Sequence, residues 1–196
     1  MAYWHQTATK DIPAKDGHTY QGADMKELIL GAGSTSKDKV IYDKEDKSYQ
    51  NPVRLDMNPD HNPDVVWDLN NRPLPFEDEE FDEIHAYEVL EHIGTQGDYK
   101  GFFEEFEEYY RILKPKGRIY GSVPRWDSMW ATADPSHTRV ISEGTLVFLS
   151  QDQYELQVGV TAMSDFRNIY KANFVTLYAM PEGENMFFVL EKDDVK

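Results

Sequence analysis

The sequence predicts a three-layer α/β sandwich with a mostly parallel sheet and a C-terminal antiparallel hairpin. Three observations predict it. Short apolar runs ending on Gly, Asp or Pro alternate with polar connections in the first half of the chain, which is the pattern of buried parallel strands with ligand-facing carboxyl ends. From Asp98 to Leu113 apolar residues recur at every third or fourth position, giving one long amphipathic helix. Near the end, Pro181-Glu182-Gly183-Glu184-Asn185 separates two apolar runs, a hairpin signal.

The elements follow in order. Residues 1–25 are mixed polar, with Pro13, Gly17 and Gly22, and read as an irregular arm. Residues 26–196 read as one domain, since 196 residues favour one at roughly 150 per domain. Lys26 to Leu30 is a strand that ends on Gly31-Ala32-Gly33, and no helical period emerges between Ser34 and Pro52. Val53 to Asp56 and Asp64 to Leu69 are the next strands. Pro73 and Pro75 break the chain, and the acidic run Glu77 to Glu83 begins as a solvated turn. Phe81 to Tyr87 alternates as a strand, and Glu88 to Ile93 reads as a short helix. Asp98 caps the long helix, which buries Phe102, Phe106, Tyr109 and Leu113 and wets Glu104, Glu105, Glu107 and Glu108. Pro115 and Gly117 stop it before the strand Arg118 to Val123. After a Trp-rich connection comes a helix capped at Ser142, then strands Phe174 to Met180 and Met186 to Glu191.

Composition excludes several function classes. Twenty Lys and Arg against 36 Asp and Glu give a net charge of −16, and the pI is near 4.7. Such a field repels phosphate backbones, and no Lys/Arg cluster offers a local basic groove, so no nucleic-acid partner is expected. The chain has no cysteine, which removes disulfides, thiolate metal sites and cysteine nucleophiles and fits a reducing, cytoplasmic compartment. Met1 to Gln6 carries neither the basic nor the apolar region of a signal peptide. The longest apolar stretches, such as Leu146-Val147-Phe148-Leu149, fall far short of the roughly 20 residues that span a bilayer, so no membrane partner is expected. The oligomeric state is not readable from the sequence.

The residues that can carry chemistry sit at strand ends. Gly31-Ala32-Gly33 lets a ligand approach the backbone without a side chain between them. Asp56, at the end of the next strand, can accept from both hydroxyls of a ribose; as turn chemistry it would close an Asx turn with Asn58-Pro59. Met57 can lie on an adenine ring or fill the core. Asp68 can accept from an adenine amino group or cap a turn. The conjunction of the four strand ends says more than any one of them.

From Leu28 to Val123 the sequence resembles the class I S-adenosylmethionine-dependent methyltransferases, a Rossmann-like fold. The matching segments are Leu30-Gly31-Ala32-Gly33, Asp56, Asp64-Val65-Val66-Trp67-Asp68-Leu69 and Pro73-Leu74-Pro75-Phe76. They continue with Phe81-Asp82-Glu83-Ile84, Val89-Leu90-Glu91-His92 and Arg111-Ile112-Leu113-Lys114-Pro115-Lys116-Gly117. The resemblance implies S-adenosylmethionine as cofactor and S-adenosylhomocysteine as product. It places Gly31, Ala32, Gly33 and Ser34 on the methionine moiety, Asp56 on the ribose, Met57 on the adenine and Asp68 with Leu69 at the adenine edge. Tyr87 and Glu88 would lie near the sulfonium. Two positions depart from the family pattern: Ile29 stands where many members carry an acid, and Thr35 where a fuller motif has a third glycine.

Methyl transfer needs a nucleophile held about 3–3.5 Å from an already activated carbon, in line with the bond that breaks, and a general base only for some acceptors. Glu88, Glu91, His92 and His137 are candidate bases. His92 also reads as a side chain that bonds the end of its own short helix. His137 lies in Asp134-Pro135-Ser136-His137-Thr138-Arg139, a polar loop beyond the fifth strand where an acceptor would sit. Arg125 between aromatic residues suits an acidic or sugar-like acceptor, whereas Trp126 and Trp130 read slightly better as core. No histidine pair has ligand spacing along the chain, so no metal is expected. Methyl transfer to a small-molecule or carbohydrate-like acceptor is the leading reading. A non-catalytic domain of the same fold, acting as an acidic binding module, is the alternative that Ile29 and Thr35 keep open. A nicotinamide oxidoreductase is disfavoured, because no phosphate-binding helix follows Gly33.

Overall fold

The computed structural model describes residues 25–34, 38–40 and 48–194. The expected arm, apart from Met25, lies outside the described residues, as does Thr35. Seven strands form one sheet in the order β3-β2-β1-β4-β5-β7-β6. They are β1 Glu27–Leu30, β2 Pro52–Asp56, β3 Val65–Val66, β4 Phe81–Tyr87, β5 Leu113–Pro124, β6 Phe174–Glu182 and β7 Asn185–Lys192. β1 to β5 pair in parallel, and β7 runs antiparallel to both β5 and β6. The chain reverses beside β1, so β2 and β4 flank it and a crevice opens outside their carboxyl ends.

Alternation along the strands separates two faces. Leu28, Leu30, Ile84, Ala86, Ile119 and Val123 join the apolar core with Phe103, Phe106, Tyr109 and Ile112 of helix α1, Tyr99–Ile112. Asp98 caps α1 by accepting from Gly101 N at 3.1 Å, as the sequence predicts. The opposite face carries Glu27, Glu83, His85 and Tyr120, all buried. Lys39 covers it, with Nζ 2.5 Å from Glu27 and 2.8 Å from Glu83, and Tyr49 packs edge-on against His85. Among the described residues no helix lies between β1 and β2, so the second helical layer of the expected three is not seen there.

Two elements differ from expectation. The third strand keeps only Val65–Val66, because Asp68 turns the chain: its Oδ1 accepts from Asn70 N at 2.9 Å and its carbonyl from Asn71 N. β5 starts at Leu113, directly after α1, and its pairing with β4 slips between Phe81 and Glu83. Pro115 and Gly117 therefore mark an irregularity within a strand rather than a loop before one. The helix predicted at Ser142 is a single turn, α3 Glu143–Leu146, with Ser142 and Thr145 forming a reciprocal cap. Helix α2, Trp130–Ala133, precedes it and α4, Gln151–Gln157, follows. No helix among the described residues is long and apolar enough to cross a membrane.

Candidate active site

The site begins at the turn after β1. Gly31 and Gly33 have φ of +58° and +56°, where a side chain is strained. A Cβ on Gly31 would also stand 2.5 Å from Cγ2 of Val89, so this glycine lets β1 end against the β4 turn. Gly33 N–H donates to Asp56 Oδ2 at 2.8 Å, and Arg54 Nη2 donates to Gly33 O at 2.5 Å. The ends of β1 and β2 are thereby tied together, as the strand-end reading requires.

Asp56 is buried, and its Oδ1 accepts from Asn58 N at 2.8 Å while His61 Nδ1 lies 3.2 Å from Oδ2. Burial alone would raise its pKa, but the N–H groups of Asn58 and Gly33, with His61, hold it below the ordinary carboxylate value. Asp56 thus forms its Asx turn and remains an anion facing the glycine turn. Met57 is 69% exposed and takes no part in the core. Asp68 uses Oδ1 within its own turn. Leu69 is buried in the apolar cluster, so only its backbone can meet a ligand. Ser34 and Ala32 follow the turn, Ala32 buried with its N–H on Leu55 O at 3.0 Å.

At the end of β4, Tyr87 and Glu88 part company. The Tyr87 hydroxyl reaches back to His85 Nδ1 at 2.9 Å, on the charged face of the sheet. Glu88 holds φ +52°, a left-handed conformation for a residue with a side chain, and Ser122 Oγ donates to its carboxylate at 2.6 Å. Backbone strain at a strand end facing a crevice is characteristic of a working position.

The segment after β5 returns to the same edge. Thr138 N donates to Glu91 O at 2.9 Å, while Arg139 donates to Leu90 O and pairs with buried Glu105 at 2.8 Å. These ties bring His137 beside Glu91 and His92: the two imidazoles meet edge to face at 4.7 Å, and His137 Nε2 lies 4.0 Å from Glu91 Oε1. His92 bonds Ser136 O rather than the end of its own turn. Glu91 is 2% exposed, and burial, with Glu88 and Asp134 adding, pushes its carboxyl up to about 8. The sequence reading considered Glu91 for its chemistry but had no sign of this burial.

Two expectations fail here. Arg125 is not open to an acidic ligand: its guanidinium makes a two-point contact with Asp127, at 2.9 and 2.7 Å, and donates to Gly183 O. Trp126 and Trp130 are not core, being 63% and 51% exposed, and Met129 between them is exposed as well. An aromatic residue in a connection has no periodicity to place it, which is why the sequence misleads there.

Residues 48–121 match the methyltransferase domain family. This match covers 74 of the 196 residues and spans β2 to β5. The fold of the chain is that of solved structures at low identity. A SAM-dependent methyltransferase from Archaeoglobus fulgidus superposes with TM-score 0.53 at 16% identity, over 86% of both chains. A chain of the complex between the Haloferax volcanii Trm112 methyltransferase activator and a putative methyltransferase gives 0.52 at 15%, over 87% of this chain and 82% of that one. The N-methyltransferase NodS from Bradyrhizobium japonicum, with S-adenosyl-L-homocysteine, gives 0.50 at 9%, over 87% and 79%. No curated protein matches the sequence. The likeness extends the resemblance read from the motifs to the fold of the chain.

Proposed function

We propose that this chain is a class I methyltransferase that binds S-adenosylmethionine across the carboxyl ends of β1, β2 and β4 and methylates a small-molecule or carbohydrate-like acceptor. The observation that carries the donor site is the left-handed Gly31–Gly33 turn hydrogen-bonded to anionic Asp56. Gly31 to Ser34 would receive the methionine moiety and Asp56 the ribose. Met57 would cover the adenine, with Asp68 and the Leu69 backbone at its edge. Tyr87 and Glu88 close the end of β4, where the methyl group would point. On the acceptor side, Glu88, His92 and His137 would face the incoming nucleophile, and exposed Trp126 and Trp130 offer indole faces for a ring. The absence of cysteine and of basic clusters supports a reducing, cytoplasmic setting and argues against a nucleic-acid acceptor.

The donor site is tested by calorimetry with S-adenosylhomocysteine on the parent and Asp56→Ala. Losing a charged acceptor for buried hydroxyls costs about 1.5–3 kcal/mol, so affinity should fall roughly 10- to 150-fold while the circular dichroism spectrum is kept. Equal affinity in the two proteins would remove Asp56 from the donor site.

A further inference from the structure

We propose that Glu91, His92 and His137 form a binding site for one divalent transition-metal ion at the acceptor edge of the crevice. Each of the three offers a ligand atom, and the three atoms lie within 4.8 Å of one another. Ligands about 2.1 Å from a tetrahedral ion stand about 3.4 Å apart, so side-chain movements of about an ångström close the site.

The hydrogen bonds around the cluster prepare both imidazoles for a cation. His137 Nδ1 lies 2.8 Å from the carbonyl of Trp130, which only accepts, so Nδ1 carries the hydrogen and Nε2 keeps its lone pair. Nε2 is the atom that approaches Glu91 at 4.0 Å and Asp134 at 3.9 Å. His92 Nδ1 lies 3.2 Å from both Ser136 O and Ser136 Oγ. The Ser136 hydroxyl donates to Asp134 Oδ1 at 2.6 Å, so its oxygen accepts here and His92 too leaves Nε2 free. An imidazole fixed through Nδ1–H on a carbonyl, with Nε2 open, is how metal-binding histidines are oriented.

The carboxylate supplies the independent observation. Glu91 Oε2 is fully buried and has no hydrogen-bond partner. The nearby guanidinium of Arg139 is already engaged by Glu105. A buried carboxyl oxygen without a donor, beside two imidazoles with open nitrogens, is a binding site for a cation. Two nitrogens and one carboxylate are a ligand set for zinc, iron, cobalt or nickel rather than for magnesium or calcium. The second compact cluster of this kind, Glu27, Glu83 and His85, already holds the Lys39 ammonium.

Nothing in the spacing of the histidines shows this site. His92 and Ser136 are 44 residues apart and meet because β4 and β5 are adjacent parallel strands whose following turns share one edge. Three protein ligands leave coordination positions for an acceptor's oxygen or nitrogen. That use rests on the methyl-transfer reading, whereas metal binding does not.

The test is titration of EDTA-treated, dialysed full chain with Co²⁺ in the absence of donor and acceptor. The expected result is a visible d–d absorption that saturates at one ion per chain and is bleached by one equivalent of Zn²⁺. His92→Ala, at an exposed position, and His137→Gln should each weaken Co²⁺ binding on the order of 100-fold while the circular dichroism spectrum is kept. S-adenosylhomocysteine affinity, measured separately, should stay that of the parent in His92→Ala. No absorption at millimolar Co²⁺, or saturation retained in His92→Ala and so owed to other histidines, overturns the site. Loss of S-adenosylhomocysteine binding in the parent would instead strike the donor reading and leave the metal result standing.

Discussion

Replacing Lys39 by methionine tests how the charged face of the sheet is held. The Lys39 ammonium is buried between Glu27 and Glu83, at 2.5 and 2.8 Å. Removing the cation leaves two buried carboxylates, a change that costs about 3–5 kcal/mol. At about 2–4 °C per kcal/mol for a domain of this size, Lys39→Met should melt roughly 6–20 °C below the parent at pH 7. The pH dependence sharpens the test. Burial opposes the charged form of Glu83, but the hydrogen bond from His85 and the charge of Lys39 win and lower its pKa. A depressed carboxyl contributes stability above its unfolded value of 4.5, and that contribution is lost as pH falls through the folded pKa. Lys39 is shifted the other way: burial lowers it, but Glu83 and Glu27 together raise it above 10.5, so its share is present below 10.5 and lost as pH rises through the raised value. In Lys39→Met, Glu83 loses the charge of Lys39 and takes up a proton more readily than in the parent. The gap in melting temperature should therefore narrow as pH falls below 4.5. Thermal melts followed by circular dichroism from pH 3.5 to 8 measure it, and adding Glu27→Gln and Glu83→Gln to Lys39→Met should restore most of the loss. A variant that melts within about 2 °C of the parent at every pH would refute the claim that this ion pair holds the face together.

Two further outcomes follow from backbone geometry. A Cβ on Gly121 would lie 2.2 Å from Cζ of Phe188, which is fully buried, so Gly121→Ala should cost about 1–3 kcal/mol in a denaturant melt, and Phe188→Leu should recover part of it. Glu88 pays strain at φ +52°, so Glu88→Gly should gain about 1 kcal/mol in the same melt while methyl-transfer turnover falls; a rise in both would remove Glu88 from the working site.

Much of the donor half was legible because it is written locally. A glycine turn needs its left-handed residues next to one another, and an Asp at a strand end reveals itself by ending an apolar run. Gly31, Gly33 and Asp56 could thus be placed together before any contact was known, and Gly33 N–H on Asp56 is the bond that joins them. The long helix was legible for the same reason, since Phe106 and Tyr109 follow its period, but Glu105 and Glu108, expected on its wet side, are buried against Arg139 and Arg111. What the sequence hid is what depends on distant partners. Glu83 and His85 lie in a strand whose face toward the core is apolar, and only Lys39 folding over them explains why charge is buried there. Trp126 and Trp130 looked like core because size suggests burial, yet among the described residues both stand exposed. Glu91 could be named as a candidate base, but its burial depends on Arg139 and Thr138, which lash the later loop onto its turn.

This division between local and distant assembly has a functional consequence. On the proposed reading, the donor side is built from turns in which each residue constrains its neighbour, with Gly33 bonded to both Asp56 and Arg54 of β2. The acceptor side is built from two loops held by a few long-range bonds: Arg139 to Glu105 and to Leu90 O, and Thr138 to Glu91 O. Those bonds fix where the loops meet, and between them Trp126, Met129 and Trp130 are exposed while Ala131 alone of helix α2 is buried. Loops carried on a rigid sheet in this way can change the acceptor while the methyl donor stays the same. In this chain the anchoring is unusually expensive, because it buries Arg139 against Glu105 and holds Glu91 inside without a hydrogen-bond donor for Oε2. A buried acid kept in that state is a cost to folding, which a ligand at the loop junction would offset by binding the folded state alone.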